Sequence, residues 1–302
     1  MSVDELPTGV GWTGLLIAYI RAQETQRQDR LFADPLAMEF VAAARRSESA
    51  SGNRLPRLGP AQDDGSSALW ELFSFYFTLR TPFYDRRLLD AIDAGCRQVV
   101  LLGAGFDTRA FRLGLADDTT VFEVDQAAVL KFKERVLART GAVPDCARVS
   151  VVADLRQDLS YPLRAAGFDP TQPTVWIAEG LLMYFSREQA DRLLSDVTTW
   201  SAPGSRIIGE YFTRRWEDDD IDYDRLDDRD QAAWDLLMTE FLYGPISDSP
   251  GDWLSSHGWG PGETTTVAEL GRNGMRALPA QFRRSHGVDV WLFDGSIPAI
   301  SR

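Results

Sequence analysis

The chain has 302 residues with 45 acidic against 32 basic side chains, and a net charge of −13 repels phosphate backbones and anionic lipid, which argues against nucleic acid or a membrane as partner. Hydrophobic residues at 44% and charged residues at 25% are ordinary globular usage, which excludes wholesale disorder and leaves a core large enough for one domain with additions. Cys96 and Cys146 are the only thiols and form no CxxC or Cys/His cluster, so neither a disulfide framework nor a metal site is expected, and a reducing cytoplasm is the expected setting.

Met1 to Pro7 is acidic and polar where a secretory signal would be basic and then apolar, and no run approaches the ~18 apolar residues of a membrane span. Gly11 to Gln23 places Trp12, Leu15, Leu16 and Tyr19 on one helical face. Asp34-Pro35 suits the start of a second helix. Ser47 to Ser67, rich in Ser, Gly, Pro and charge, reads as a loop. A third helix is expected over Ala68 to Ala94, interrupted near Thr81-Pro82.

From Gln98 the periodicity changes. Val99 to Leu102 is a short apolar run ending in Gly103-Ala104-Gly105, the pattern of a buried strand feeding a tight turn into a helix. Similar runs recur at Val121–Val124, Val149–Val152, Val175–Ala178 and Arg206–Glu210, with helical stretches at Gln126–Thr140 and Arg187–Trp200 between some of them. This alternation predicts an α/β, doubly wound, mostly parallel sheet. The acidic stretch from Glu217 to Asp230, followed by amphipathic Ala232 to Tyr243, reads as an insertion with a solvated face, since its acids lack calcium-loop spacing. Strand character returns at Thr264–Val267 and Val288–Phe293, which could complete the sheet.

Polar residues at four successive strand ends carry the chemistry. Gly103 and Gly105 let a ligand approach the backbone at a helix N-terminus, though Thr108 replaces the third glycine of the dinucleotide fingerprint. Asp125, 22 residues beyond Gly103, can accept both hydroxyls of a ribose, or serve as a helix N-cap. Asp154-Leu155 could bond the amino group of an adenine while the leucine packs on the ring, or be an ordinary loop. Glu179 faces the same crevice as a partner for an ammonium group. Together these place a ligand site at the carboxyl edge of the sheet.

In order and spacing, QVVLLGAGFDTRAFRL (Gln98–Leu113), VFEVDQAAV (Val121–Val129), ADL (Ala153–Leu155) and IAEGLLMYF (Ile177–Phe185) resemble the leucine carboxyl methyltransferase family, which includes eukaryotic phosphatase methylases, actinobacterial methyltransferases and polyketide O-methyltransferases. DRLFADPLA (Asp29–Ala37) resembles the bacterial branch. The resemblance implies a seven-stranded Rossmann-like methyltransferase sheet with a helical lid and S-adenosyl-L-methionine as cofactor. It implies one domain over residues 1–302: helices and lid in 1–94, cofactor core in 95–210, lid insertion in 211–262 and closing strands in 263–302. By the same resemblance Gly103 lies beside the methionine moiety, Asp125 holds ribose, Asp154 and Leu155 hold adenine, and Glu179 lies near the methionine portion. Arg80, in TLRT, matches the family's arginine that pairs with the cofactor carboxylate; taken alone it would be a solvated helix face.

The expected reaction is O-methylation of a small molecule, and the resemblance points to a secondary metabolite. A carboxylate acceptor is ionised near neutral pH and needs no base, whereas a phenol usually does. The only histidines, His257 and His286, lie in the tail; Tyr184, Glu179 or Asp107 could assist a phenol. Two other classes share the glycine turn: a nicotinamide oxidoreductase, in which Asp154-Leu155 would have no task, and a non-catalytic nucleotide-binding regulatory module.

Overall fold

All five residues of β1 (Gln98–Leu102) are buried, and successive side chains enter opposite layers: Val99 and Leu101 join one apolar cluster, Val100 and Leu102 another. A strand covered on both faces is apolar throughout, hence the unbroken run. The computed structural model describes residues 10–51, 58–60, 67–283 and 288–298. In it β2 (Thr120–Asp125), β3 (Ala147–Val152), β4 (Thr174–Ala178) and β5 (Arg206–Phe212) extend a parallel sheet from β1. β7 (Val290–Ser296) enters antiparallel between β5 and β6 (Gly260–Thr266), giving the order β3-β2-β1-β4-β5-β7-β6. The chain thus steps one way from β1 to β3 and then restarts on the other side at β4. A crevice opens at such a switch point, between the carboxyl ends of β1 and β4.

One face is covered by α1 (Val10–Gln26) and α3 (Ala68–Asp93), which bring Trp12, Leu79 and Tyr84 against Val99 and Ile177. The other is covered by α6 (Ser160–Ala165), α7 (Arg187–Thr199) and α9 (Pro250–Ser256), around Trp176 and Trp253. Each such large apolar side chain contributes roughly 1.5–3 kcal/mol on burial. A third cluster joins α1 to α2 (Ala37–Ser51) and α5 (Ala127–Thr140) through Phe40, Phe106 and Phe132. Asp34 starts α2 as expected, its carboxylate accepting the Ala37 N–H at 3.2 Å. The short α4 (Arg109–Arg112) follows β1, α8 (Asp228–Glu240) lies between β5 and β6, and α10 (Val267–Arg272) and α11 (Ala280–Arg283) precede β7.

Three expectations are corrected. Pro82 does not interrupt α3, which runs unbroken from a Ser67 cap through to Asp93. Proline inside a helix costs about 3 kcal/mol, and here Leu79, Phe83, Tyr84 and Leu88, all buried beneath the sheet, hold the helix together across it. The loop expected from Ser47 begins later, because α2 continues to Ser51; positions 52–57 and 61–66 of that expectation, like Met1–Pro7, lie outside the described residues. The acidic run is not wholly solvated either. Asp220 is buried against Arg214, and buried Asp230 accepts the Trp70 indole N–H at 3.1 Å. These two acids fasten the segment to its neighbours.

Candidate active site

A cleft of about 240 Å³ lies at the switch point, and Arg80, Gly103, Gly105, Asp125, Asp154, Leu155, Glu179 and Tyr184 all line it. The loop after β1 is set by its backbone. The N–H groups of Gly103 and Ala104 both donate to the Val124 carbonyl, at 2.9 and 3.0 Å, and Gly103 and Gly105 adopt φ of +69° and +48°. That left-handed region suits glycine. A Cβ at position 103 would also sit 3.2 Å from Leu181 Cδ1 and 3.7 Å from Leu155 Cδ1, so the glycine keeps the cleft open between two leucines.

Asp125 closes β2. One carboxylate oxygen accepts the Gly105 N–H at 2.7 Å and the other accepts the Gln126 N–H at 2.6 Å. It is not the cap of α5, since Gln126 occupies that position. Burial raises its pKa, against the two N–H groups that pull it down. Each carboxylate oxygen has two lone pairs, and one per oxygen is engaged, so the carboxylate can still receive a pair of hydroxyls. Asp154, after β3, is paired with Arg156 at 2.9 and 3.0 Å, and the Arg156 side-chain bonds lower its pKa. Leu155 is partly buried beside it. The donor set therefore fits an adenosyl ligand: acceptors for ribose hydroxyls and an amine, with leucine surfaces for the ring.

Across the cleft the arrangement is ionic. Glu179, after β4, sits between Arg80 Nε at 3.1 Å and Arg109 Nη2 at 2.7 Å. Arg80 is fully buried, pairs with Glu210 at 2.5 Å, donates to the Tyr76 hydroxyl at 3.0 Å and lies over the Phe77 ring. Arg109 reaches Asp107 and Asp85, and Arg112 also takes Asp85. Burial alone would raise Asp107, but Arg109 holds it down at about 2. Burial pushes Glu210 up to about 7, although Arg80 pulls the other way. Its Oε1 accepts both Arg80, at 2.5 Å, and the Gly180 N–H, at 2.7 Å.

Arg80 is thus no solvated helix residue, and the signal for that was its place within the aromatic run from Phe73 to Tyr84. Arg109 and Glu210 escaped sequence reasoning. Glu210 ends the fifth apolar run as Glu179 follows the fourth, so the strand-end pattern extended one step further than it was read. Burial pushes the Tyr184 hydroxyl up to about 12, and it keeps its proton at neutral pH. His257 is not in the cleft: it ends α9, with Nδ1 2.9 Å from the Trp253 carbonyl and Nε2 3.7 Å from Asp191. His286 lies outside the described residues.

A family model described as leucine carboxyl methyltransferase matches residues 14–198. A protein of Parafrankia sp. (strain EAN1pec), named as a candidate S-adenosyl-L-methionine-dependent methyltransferase, is 43% identical over 287 residues, covering 90% of this chain and 84% of its own. A similarly named protein of Streptomyces avermitilis is 40% identical over 254 residues, covering 84% of each chain. Among solved structures, a DUF574 family protein from Streptomyces avermitilis shares the fold with a TM-score of 0.54 and 17% identity, over 93% of this chain and 97% of that one.

Proposed function

This chain belongs to the leucine carboxyl methyltransferase family and is an S-adenosyl-L-methionine-dependent methyltransferase, and from that premise we propose that it methylates a carboxylate oxygen of a small molecule. The observation that carries the reading is the convergence of Arg80 and the four strand-end groups on one cleft. In it Asp125 receives the ribose hydroxyls, Asp154 and Leu155 take the adenine, and Gly103 and Gly105 admit the methionine chain. Glu179 faces the ammonium and Arg80 the carboxylate, a bidentate partner for which guanidinium is suited.

When bound, the cofactor supplies an electrophilic methyl on a positively charged sulfur. Transfer of that methyl to an acceptor oxygen that is already ionised would cancel the two charges and would require no proton to be moved by the protein. The protein's work is alignment and exclusion of water. The lining favours an acceptor that is already ionised: no histidine lines the cleft among the described residues, Tyr184 keeps its proton, and Asp107 is held too acidic to remove one. Tyr184 is then a hydrogen-bond donor to the acceptor oxygen. A phenol acceptor is the second reading, favoured by Glu240 at the end of α8, a carboxylate on the cleft wall that could take its proton. The polyketide O-methyltransferases in the family resemblance support a secondary metabolite as acceptor, and two buried free thiols, Cys96 and Cys146, suit a reducing cytoplasm.

Calorimetric titration with S-adenosylmethionine, S-adenosylhomocysteine and NAD tests the cleft. Binding of both adenosyl ligands, followed by methyl ester formation across a panel of carboxylates, is expected; NAD binding in their place would overturn the assignment of the cleft, and methyl ether formation alone would move the acceptor to the phenols.

A further inference from the structure

A second cavity of about 50 Å³ adjoins the cofactor cleft and shares Thr13, Ile17, Arg80, Gly180 and Tyr184 with it. Beyond that junction its walls are apolar, formed by Phe73 and Phe77 of α3, Met183, Trp216, and Trp234 and Met238 of α8. Arg80 is the only charged residue lining it among the described residues, and its guanidinium is committed to Glu179, Glu210 and, on the methyl-transfer reading, the cofactor carboxylate. A polar or charged body entering the cavity would shed its hydration for nothing in return. A ring would gain face and edge contacts from walls already arranged that way, such as Trp216 against Trp234 with centroids 5.5 Å apart at 86°. The hydroxyls able to bond an oxygen, Thr13 and Tyr184, sit at the junction and nowhere deeper except for Tyr76, whose hydroxyl is bonded to Arg80.

Resting on the methyl-transfer reading, we propose that the acceptor is an aryl carboxylic acid, its ring inside this cavity and its carboxylate at the junction beside Tyr184 and Thr13. The cavity is about a third of the ~150 Å³ that accommodates a benzene-sized guest. A wall therefore yields on binding, and α8 is built to be that wall. Its ends are fastened, the first turn through Asp230 to Trp70, and the chain just beyond the last turn through the Leu242 and Tyr243 N–H groups to the Met183 carbonyl, at 2.8 and 2.9 Å. Between those ends it meets the cavity through Trp234, Leu237 and Met238, held mainly by apolar contacts, with one long indole N–H bond from Trp234 to Asp218 at 3.4 Å. Met183 and Met238 are unbranched and repack around guests of different outline.

The test uses the full chain saturated with S-adenosylhomocysteine and titrated with 2-naphthoic acid, followed by tryptophan fluorescence. Binding is expected, with Met238→Trp weakening it by ~10-fold or more by filling the cavity, while affinity for S-adenosylhomocysteine stays within about twofold. Met238→Ala is the opposite change at the same position and is expected to admit 2-anthracenecarboxylic acid better than the parent does. Naphthoate that fails to bind the loaded protein, or binds Met238→Trp as well as the parent, overturns the proposal, and so does preference for a short peptide ending in leucine. Failure of S-adenosylhomocysteine to bind the parent protein would instead remove the methyl-transfer reading, and this inference with it.

Discussion

Along one wall of the cleft, at the ends of β1 and β2, position is set by the main chain: a glycine turn bonded to the Val124 carbonyl and a carboxylate fixed by two backbone N–H groups. Across the cleft, from α3 to β5, position is set by side chains, with Arg80 and Arg109 threaded between Asp107, Glu179 and Glu210. A backbone-built wall depends on residue types at fixed spacing along one stretch of chain. A wall built from ion pairs depends on residues 130 positions apart, as Arg80 and Glu210 are. The two should also fail differently when mutated, the first by losing ligand alone and the second by losing stability of the fold together with ligand.

The largest effect is expected at Arg80. Arg80→Ala leaves Glu179 with Arg109 alone and Glu210 without its cation in a fully buried position, and removing one partner of a buried pair costs about 3–5 kcal/mol. Urea unfolding should register that loss, and Glu210→Gln added to Arg80→Ala should recover part of it. Cofactor affinity should fall as well; if Arg80→Ala lost affinity yet unfolded like the parent, the ionic wall would be a binding device alone and the contrast between the walls would disappear.

Next comes the pH dependence of the same wall. Burial raises Glu210 from 4.5 to about 7, despite Arg80. A carboxyl whose folded value lies above its unfolded one contributes stability that is complete below about 4.5 and is lost as pH rises through about 7. The upper bound is on the order of 3 kcal/mol. Unfolding at pH 5 and pH 8 should show the parent losing stability relative to Glu210→Gln across that window. Parallel profiles would mean that Arg80 compensates the burial fully. Asp107 has the opposite sign: held at about 2, it contributes above its ordinary 3.8 and fails only as pH falls through about 2.

This division explains what the sequence disclosed. The sheet was legible because strands covered on both faces are mainly apolar runs, a rule that β1 and β4 obey closely and that β2 and β5 follow around one buried acid each, Glu123 and Glu210; Pro82 misled because the packing that overrides it comes from the sheet below. Gly103, Asp125, Asp154 and Glu179 were legible because strand ends of a doubly wound sheet face one crevice. Arg109, although inside the quoted motif and beside its partner Asp107, drew no role, since the other two partners, Asp85 and Glu179, lie 24 residues before it and 70 after it. Of the second cavity only the aromatic stretch of α3 around Arg80 could be read from sequence as the lining of an apolar acceptor pocket; its other walls are drawn from α1, the turn after β4, Phe212 and Trp216, and α8.

The backbone wall offers the cleaner binding test. Asp125→Ala removes a partly buried acceptor but leaves the main-chain turn around the Val124 carbonyl, so cofactor affinity should fall by about 1–3 kcal/mol while the unfolding midpoint moves little. Calorimetry with S-adenosylhomocysteine measures the first and urea titration the second. A folded variant with unchanged affinity would take Asp125 out of the ribose role.

The smallest effect belongs to Arg156, where the backbone wall reaches solvent. Its pair with Asp154 is about half exposed on the arginine side, at 56%, and such pairs are worth about 0–1 kcal/mol. If Asp154 takes the amino group of adenine, the Arg156 guanidinium must share the carboxylate with it or move away. Arg156→Ala removes the competitor and should tighten cofactor binding by less than about 1 kcal/mol, whereas Asp154→Ala should weaken it. Opposite signs from two partners of one ion pair cannot arise from general destabilisation. If both variants weakened binding equally, the pair itself, rather than Asp154, would be what the adenine requires.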